Sequence, residues 1–219
     1  MTLQGTPYLE IALVAALLGA VLGVVADRFA TRWPAHDEEH PPGRPVDWRT
    51  AVCLVVGGLA AGGLILRFAP DWLGVAIFGA WFVSLIIGLA TDLDQRLLPD
   101  ALTLPVLPVA LIYAASGLNP FVGDDLVLAI MAAVLIPAVL YLPSIPFGEG
   151  AFGLGDVKLL AGVGLMVGAE RALAGVLVGL LMAGVVLVVL LAVRRISRRS
   201  FVPFGPFLIL GALWAVLIR

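Results

Sequence analysis

The chain has 219 residues, of which 62% are hydrophobic and 13% charged, and its formal net charge is -2 at pH 7. So few polar residues cannot cover the surface of a soluble globule of this size, and we therefore predict an integral membrane protein. The nearly neutral charge gives no indication of nucleic-acid binding. The single cysteine, Cys53, can form neither an internal disulfide bond nor a multi-cysteine zinc site.

Apolar stretches of spanning or near-spanning length recur along the chain, separated by short polar, Pro-rich or charged connectors. A helical crossing of the hydrocarbon core requires roughly 20 apolar residues. We predict an all-α, polytopic bundle of about eight transmembrane helices in a single membrane domain, residues 1–219. The predicted spans are Tyr8–Ala26, Ala51–Leu66, Trp72–Ala90, Leu102–Ala115, Leu126–Leu142, Val157–Gly168, Ala172–Val193 and Phe201–Ile218. The sixth is shorter than a normal crossing, which suggests thin lipid cover or a hydrated cavity at its start.

Basic residues fall mostly on one side of the predicted membrane. With eight spans, the connectors after spans one, three, five and seven share a side. Counting Lys158 at the start of the sixth span, that side has ten basic residues against three on the other. The positive-inside rule makes that side the cytoplasm and puts the amino terminus outside it. The amino terminus has no basic residue before its first apolar run, which favours a retained first span over a cleaved signal peptide. The longest cytoplasmic connector, 27–50, is polar and Pro-rich.

Two groups of aspartates lie where apolar helices begin or end. The segment TDLDQRLLPD, residues 91–100, closes the third span and contains Asp92, Asp94 and Asp100. The segment FGLGDVKLL opens the sixth span and contains Asp156. Ionisable groups at membrane depth are costly to bury and so indicate function. The parity of the spans places both groups on the cytoplasmic side.

Two carboxyl groups that approach closely in a low-dielectric site share a proton, because both cannot ionise easily. The ionised partner can then take a proton from a water that attacks a peptide carbonyl, and the protonated partner can donate to the carbonyl oxygen. Gly153 and Gly155 allow the backbone before Asp156 to turn sharply, and Pro99 interrupts helix so that Asp100 can begin the fourth span. The alternative for Asp100 and Asp156 is helix capping, and for Asp92 and Asp94 it is an interfacial charge.

These segments resemble the signature motifs of the prepilin peptidase (type IV leader peptidase) family, within the GxGD class of intramembrane aspartic proteases. Asp92 to Asp100 with Leu98 and Pro99 is similar to the first motif, and residues 153–158, with Gly153, Gly155, Asp156 and Lys158, are similar to the second. The segment PFGPFL, residues 203–208, is similar to the family's pattern at its last span.

The resemblance implies a membrane-embedded aspartic endopeptidase with Asp92 and Asp156 as the catalytic pair. Supporting roles fall to Asp94, Pro99, Asp100, Gly153, Gly155 and Lys158. The implied substrates are precursors of type IV pilins or pseudopilins with a basic leader and a hydrophobic helix, cut at the cytoplasmic face of a prokaryotic inner membrane. Proteolysis of this kind requires no metal and no cofactor.

The chain departs from the family in the connector after the first span. Many members have a larger loop there with two C-x-x-C zinc pairs, and they methylate the new amino terminus with S-adenosylmethionine. Here the loop is short and has no cysteine, and VDWR at 46–49 is similar to the exit of the longer loop. We expect S-adenosylmethionine to be needed only if the methyltransferase activity is retained.

A zinc-protease pattern, H-x-x-E-H, also occurs in this loop, as HDEEH at residues 36–40. That motif requires a helix to put both imidazoles on one face, and Pro41 and Pro42 follow at once. We therefore expect a solvated acidic turn.

Two rival functions remain open from the sequence. A small transporter would use Asp92, Asp94 and Asp156 as proton or cation ligands. A noncatalytic membrane scaffold would use the aspartates only as caps.

Overall fold

The computed structural model describes residues 8–38, 40–147, 152–195 and 203–218, and within these ranges the regular structure is entirely helical. The α-helices, in chain order, are α1 Tyr8–Ala30, α2 Trp48–Phe68, α3 Trp72–Gln95, α4 Asp100–Thr103, α5 Val106–Ala115, α6 Leu126–Tyr141, α7 Leu154–Ala192 and α8 Gly205–Leu217. A 3-10 helix, Leu142–Phe147, continues α6.

Five of the described helical stretches are long and apolar enough to cross a membrane: Tyr8–Ala30, Trp48–Phe68, Trp72–Gln95, Leu126–Pro146 and Leu154–Ala192. The protein is therefore a multi-pass membrane protein, and the all-helical prediction is confirmed for the described residues. Exposed leucine and valine side chains along α1 and α7, such as Leu17 and Leu181, form surface suited to lipid. The predicted total of eight spans is not confirmed, since five stretches of the described residues reach spanning length.

The predicted fourth span is broken into two short helices. α4 ends at Thr103 and α5 begins at Val106, because Pro105 between them has no N–H to continue the hydrogen-bonded ladder. The predicted last span is shorter than expected: α8 begins at Gly205, just after Pro203, and Phe201 lies outside the described residues.

The predicted sixth and seventh spans correspond to the two parts of α7. Gly168 interrupts this helix with φ 73° and ψ 174°, a conformation almost restricted to glycine. The buried Asn119 side chain donates to the Met166 carbonyl at 3.0 Å, next to the interruption. A side chain on the connector before α6 thus binds a carbonyl near the break in α7.

Contacts between residues divide the chain into two compact units, Met1–Pro99 and Asp100–Arg219. In the first unit α1, α2 and α3 pack against one another, and α1 and α2 approach closely. A Cβ atom on Gly19 or Gly57 would collide with the backbone of the other residue, so the two glycines permit this approach.

In the second unit α7 packs against α5, α6 and α8. Arg171, just after the interruption at Gly168, donates to the Ala215 carbonyl at 2.8 Å and to the Ile218 carbonyl at 2.9 Å. These bonds satisfy carbonyls at the end of α8 that have no partner within the helix. That the two units act as one membrane domain stays a prediction.

Candidate active site

Asp92 and Asp94 lie in the last turn of α3, at the end of a long apolar helix. Both residues are buried, with 5% and 7% of their surface exposed. The helix ends at Arg96, which has left-handed backbone angles (φ 56°) and donates its N–H to the Asp92 carbonyl at 2.9 Å. This bond holds the backbone of the last turn of α3, in which both side chains are buried.

The Asp94 carboxylate is occupied on both oxygens. Its Oδ1 accepts from Arg44 Nε at 2.6 Å and from Arg49 Nη1 at 3.2 Å. Its Oδ2 lies 3.2 Å from His36 Nε2. Asp94 is therefore part of an ion-paired network within the first unit.

Asp27, in the last turn of α1, is a carboxylate that the sequence analysis did not select. Its side chain has no exposed surface. It accepts from Thr50 Oγ1 at 2.6 Å, from Arg44 Nη2 at 2.6 Å, and also from the neighbouring Arg28. The sequence carries a signal for Asp27, because an acidic residue follows an apolar run there, but the sequence analysis treats it only as the start of a connector.

Arg44 binds three carboxylates at once. Its Nε, Nη1 and Nη2 atoms contact Asp94 at 2.6 Å, Asp47 at 2.5 Å and Asp27 at 2.6 Å respectively. Burial opposes the charge of the guanidinium, but the hydrogen bonds to Asp94 and Asp27 outweigh it and raise the pKa of Arg44 above its ordinary value. Asp47 in turn caps α2, accepting from the Arg49 N–H at 2.8 Å.

The connector between α1 and α2 folds back over these groups. Its described residues contain no helix, as expected from the prolines, but the expectation of a wholly solvated turn is wrong for His36, whose side chain is only 4% exposed against Asp94. His40 instead contacts Asp37, at 3.0 Å. Beside them is an open cavity of about 410 Å³. Its lining consists of His40, Pro41, Pro42, Gly43, Arg44, Pro45, Arg49 and Asp94.

Across the described parts of the chain, which omit Glu39 of the HDEEH segment, no group of three or more His, Cys, Asp or Glu side chains is arranged to hold a metal ion. Cys53 is fully buried within α2. The two histidines face different partners: His36 contacts Asp94, and His40 contacts Asp37.

Asp156 lies in the first turn of α7. Its Oδ2 accepts from the Gly153 N–H at 3.2 Å, and its own N–H donates to the Gly153 carbonyl at 3.1 Å. The capping role left open by the sequence is thus present, and it orients the carboxyl group at the start of the helix. Residues 148–151, just before this motif, lie outside the described residues.

Lys158 and Asp100 form an ion pair within the second unit, with Nζ and Oδ1 2.5 Å apart. Their side chains are 26% and 59% exposed, so the pair is partly open to solvent. These two residues come from different motifs and are 58 positions apart in the sequence. Their contact links α4 to α7. Pro99 ends the first unit, directly before Asp100. Asp92 belongs to the first unit and Asp156 to the second.

Residues 80–193 match the model of the type IV leader peptidase family. This range contains both aspartate motifs.

Among relatives of known name, the chain is 30% identical over 162 residues to a prepilin leader peptidase/N-methyltransferase of Stutzerimonas stutzeri, which is 74% of this chain and 55% of the relative. It is 34% identical over 158 residues to the protein of the same name from Burkholderia pseudomallei, covering 72% of this chain and 50% of that one. The Pseudomonas aeruginosa protein of that name is 30% identical over 161 residues, 73% of this chain and 54% of that one. The chain thus spans about half the length of the curated relatives it matches. No solved structure matches.

Proposed function

The chain belongs to the type IV leader peptidase family, and on that premise we propose that it is a membrane-embedded aspartic endopeptidase. Its substrates would be precursors of type IV pilins or pseudopilins, from which it removes the basic leader. The observation that carries the proposal is that the family match, residues 80–193, includes both aspartate motifs. Family membership favours this function over the transporter.

The proposed catalytic residues are Asp92 and Asp156. Each lies at the terminus of a long apolar helix, Asp92 in the last turn of α3 and Asp156 in the first turn of α7. Asp94 is a poor candidate for a proton-transferring carboxyl group, because two arginines and a histidine already occupy its oxygens.

In the proposed reaction the two carboxyl groups share one proton. The ionised group removes a proton from water as the water oxygen attacks the scissile carbonyl, and the protonated group donates to the carbonyl oxygen. Collapse of the tetrahedral intermediate breaks the C–N bond, and a carboxyl proton passes to the leaving amine. Each turnover consumes one water and restores the shared proton, so the cleavage itself uses no cofactor.

In the proposed orientation, the C-terminal end of α3 and the N-terminal end of α7 lie at the cytoplasmic face of a prokaryotic inner membrane. The amino terminus of the chain lies outside the cytoplasm. The basic connectors support this orientation, since ten of thirteen lysines and arginines fall on the cytoplasmic side by the predicted topology. A substrate with a basic leader and a hydrophobic helix would then present its cleavage site at the same depth.

The names of the relatives include N-methyltransferase. For this chain, methylation of the new amino terminus is a separate activity that would need S-adenosylmethionine as methyl donor.

The test is cleavage of a co-expressed prepilin by the parent chain and by Asp92→Asn and Asp156→Asn. Each variant should abolish processing, because a single carboxyl group cannot both accept and donate the protons of the reaction. Immunoblots of leader-bearing and mature pilin measure the outcome, and the amount of each variant in the membrane is checked in parallel.

The matched control is Asp124→Asn, an exposed aspartate in the connector before α6, which should process normally. Retained processing by either dyad variant would refute the assignment and return the transporter to consideration.

A further inference from the structure

The guanidinium group of Arg44 connects three helix ends of the first unit. Asp27 belongs to the last turn of α1, Asp47 caps the start of α2, and Asp94 belongs to the last turn of α3. Each of the three nitrogens of the guanidinium contacts a different one of these carboxylates, at 2.5 to 2.6 Å. Arg44 is itself part of the connector and of none of the helices.

The contact of Arg44 with Asp94 is a short side-chain restraint on the end of α3, at 2.6 Å. Arg49 Nη1 and His36 Nε2 also contact Asp94, each at 3.2 Å, and the Gln95 amide donates to the carbonyls of Ala30 and Pro34 at 3.3 and 3.4 Å. A charge-assisted hydrogen bond of 2.6 Å is shorter and about twice as strong as a neutral one. Among these contacts the one from Arg44 is the shortest, and Arg44 also joins this turn to the end of α1 and the start of α2 through Asp27 and Asp47.

Asp92 lies in that same turn, two residues before Asp94. A displacement of the turn would move the Asp92 carboxyl with it. Misplacement of a reacting group by about 1 Å costs roughly 10²-fold in rate.

We propose that Arg44 is the positioning residue of the peptidase site: by joining Asp94 to Asp27 and Asp47 it holds the final turn of α3, and with it Asp92, in the catalytic position. This inference rests on the proposed function. It gives the short connector a role in catalysis that requires neither zinc nor cysteine.

The arrangement demands arginine. The N–H donors of a guanidinium group point in several fixed directions within one plane, whereas a lysine ammonium is a compact charge at the end of a flexible side chain. Lysine at this position would keep the positive charge but could not reach the three carboxylates together. Arg44→Lys therefore separates geometry from charge.

The experiment measures kcat and KM for cleavage of a purified prepilin by the full chain in lipid. Arg44→Lys should lower kcat by about 10²-fold while KM changes by less than about threefold, because the substrate still binds but the carboxyl group is misplaced. Arg32→Lys, at an exposed arginine of the same connector, is the matched control and should leave both constants unchanged.

A double-mutant cycle with Asp94→Asn tests the route of the effect. If Arg44 acts through Asp94, Asp94→Asn should also lower kcat, and the double variant should be no slower than the slower single variant. Multiplied losses would overturn the proposal, as would an unchanged kcat in membrane-inserted Arg44→Lys. If Arg44→Lys does not accumulate in the membrane, Asp94→Asn decides alone: a lowered kcat with unchanged KM supports the proposal, and an unchanged kcat overturns it.

Asp92→Asn in the same assay separates this inference from the function on which it rests. Continued cleavage by Asp92→Asn would refute the proposed catalytic residue. An inactive Asp92→Asn beside a fully active Arg44→Lys would refute only the positioning role.

Discussion

Asp27 shows how a carboxylate can be tolerated at the end of a transmembrane helix. Its side chain has no exposed surface, yet it is bound by two arginines and a threonine. A buried charge is costly unless it is paired and hydrogen-bonded, and here both conditions are met. The arginines that set the predicted topology are therefore also the counterions of buried aspartates.

Asp27→Asn should destabilise the first unit strongly. Removing one partner from a buried ion pair costs roughly 3–5 kcal/mol, because the remaining charge loses its compensation. The loss is measured as a lower thermal unfolding midpoint in detergent. Glu38→Gln, at an exposed acidic residue of the following connector, should change the free energy of unfolding by less than about 0.5 kcal/mol. Equal stability of Asp27→Asn and the parent chain would contradict the network described for Asp27.

At the scale of the helix, α7 is notable because a single residue divides it. Gly168 has backbone angles that other residues rarely adopt, and a Cβ atom there would lie 2.9 Å from the Phe121 carbonyl oxygen. The break lets one apolar run of the sequence form two helical segments. The sequence analysis ends the sixth predicted span at Gly168 and begins the seventh at Ala172, but it does not predict that Gly168 itself makes the turn.

Gly168→Ala should destabilise the second unit by at least about 1–3 kcal/mol, the cost of holding a side-chain-bearing residue in such a conformation. Gly184→Ala is the matched control, since it lies further along the same helix and a Cβ atom there meets nothing within 4 Å. The control should be neutral or stabilising by up to about 1 kcal/mol. Thermal unfolding in detergent compares the two, and equal midpoints would contradict the role of Gly168.

At the scale of the whole molecule, the number of crossings decides which connectors share a side. The stretch formed by α4 and α5, Asp100–Ala115, covers only about 24 Å at 1.5 Å per residue, which is less than the hydrocarbon thickness of a bilayer. If it crosses, three spans separate Glu38 from Asp124, and the two residues lie on opposite sides.

Single-cysteine labelling tests this topology. We expect Glu38→Cys to react with a membrane-impermeant thiol reagent only in inverted vesicles, and Asp124→Cys only in intact spheroplasts. The native Cys53 is fully buried, so the parent chain should remain unlabelled and needs no replacement. Labelling of both variants from one side would show that α4 and α5 do not complete a crossing.

The sequence predicts the long helices well, because an uninterrupted apolar run in lipid has few alternatives to α-helix. It also places Asp92, Asp94 and Asp156 at helix ends, as the structure does. It does not predict that Arg44 joins Asp27 and Asp94, since such pairing between distant residues leaves no periodic pattern. It likewise leaves α4 and α5 as one helix, because the effect of Pro105 depends on the local geometry of the turn.

The connector between α1 and α2 is closed at its base. The Gly43 N–H donates to the Thr31 carbonyl at 2.9 Å, and Arg44 follows directly. Chain length beyond that closure adds little entropic cost, about 0.6 kcal/mol for each doubling of a flexible loop. Extra residues inserted after Asp37 and before Pro42 would leave His36 and Arg44 where they are. We therefore expect this stretch to accept an inserted fluorescent tag or soluble domain without displacement of the helix ends that the connector covers.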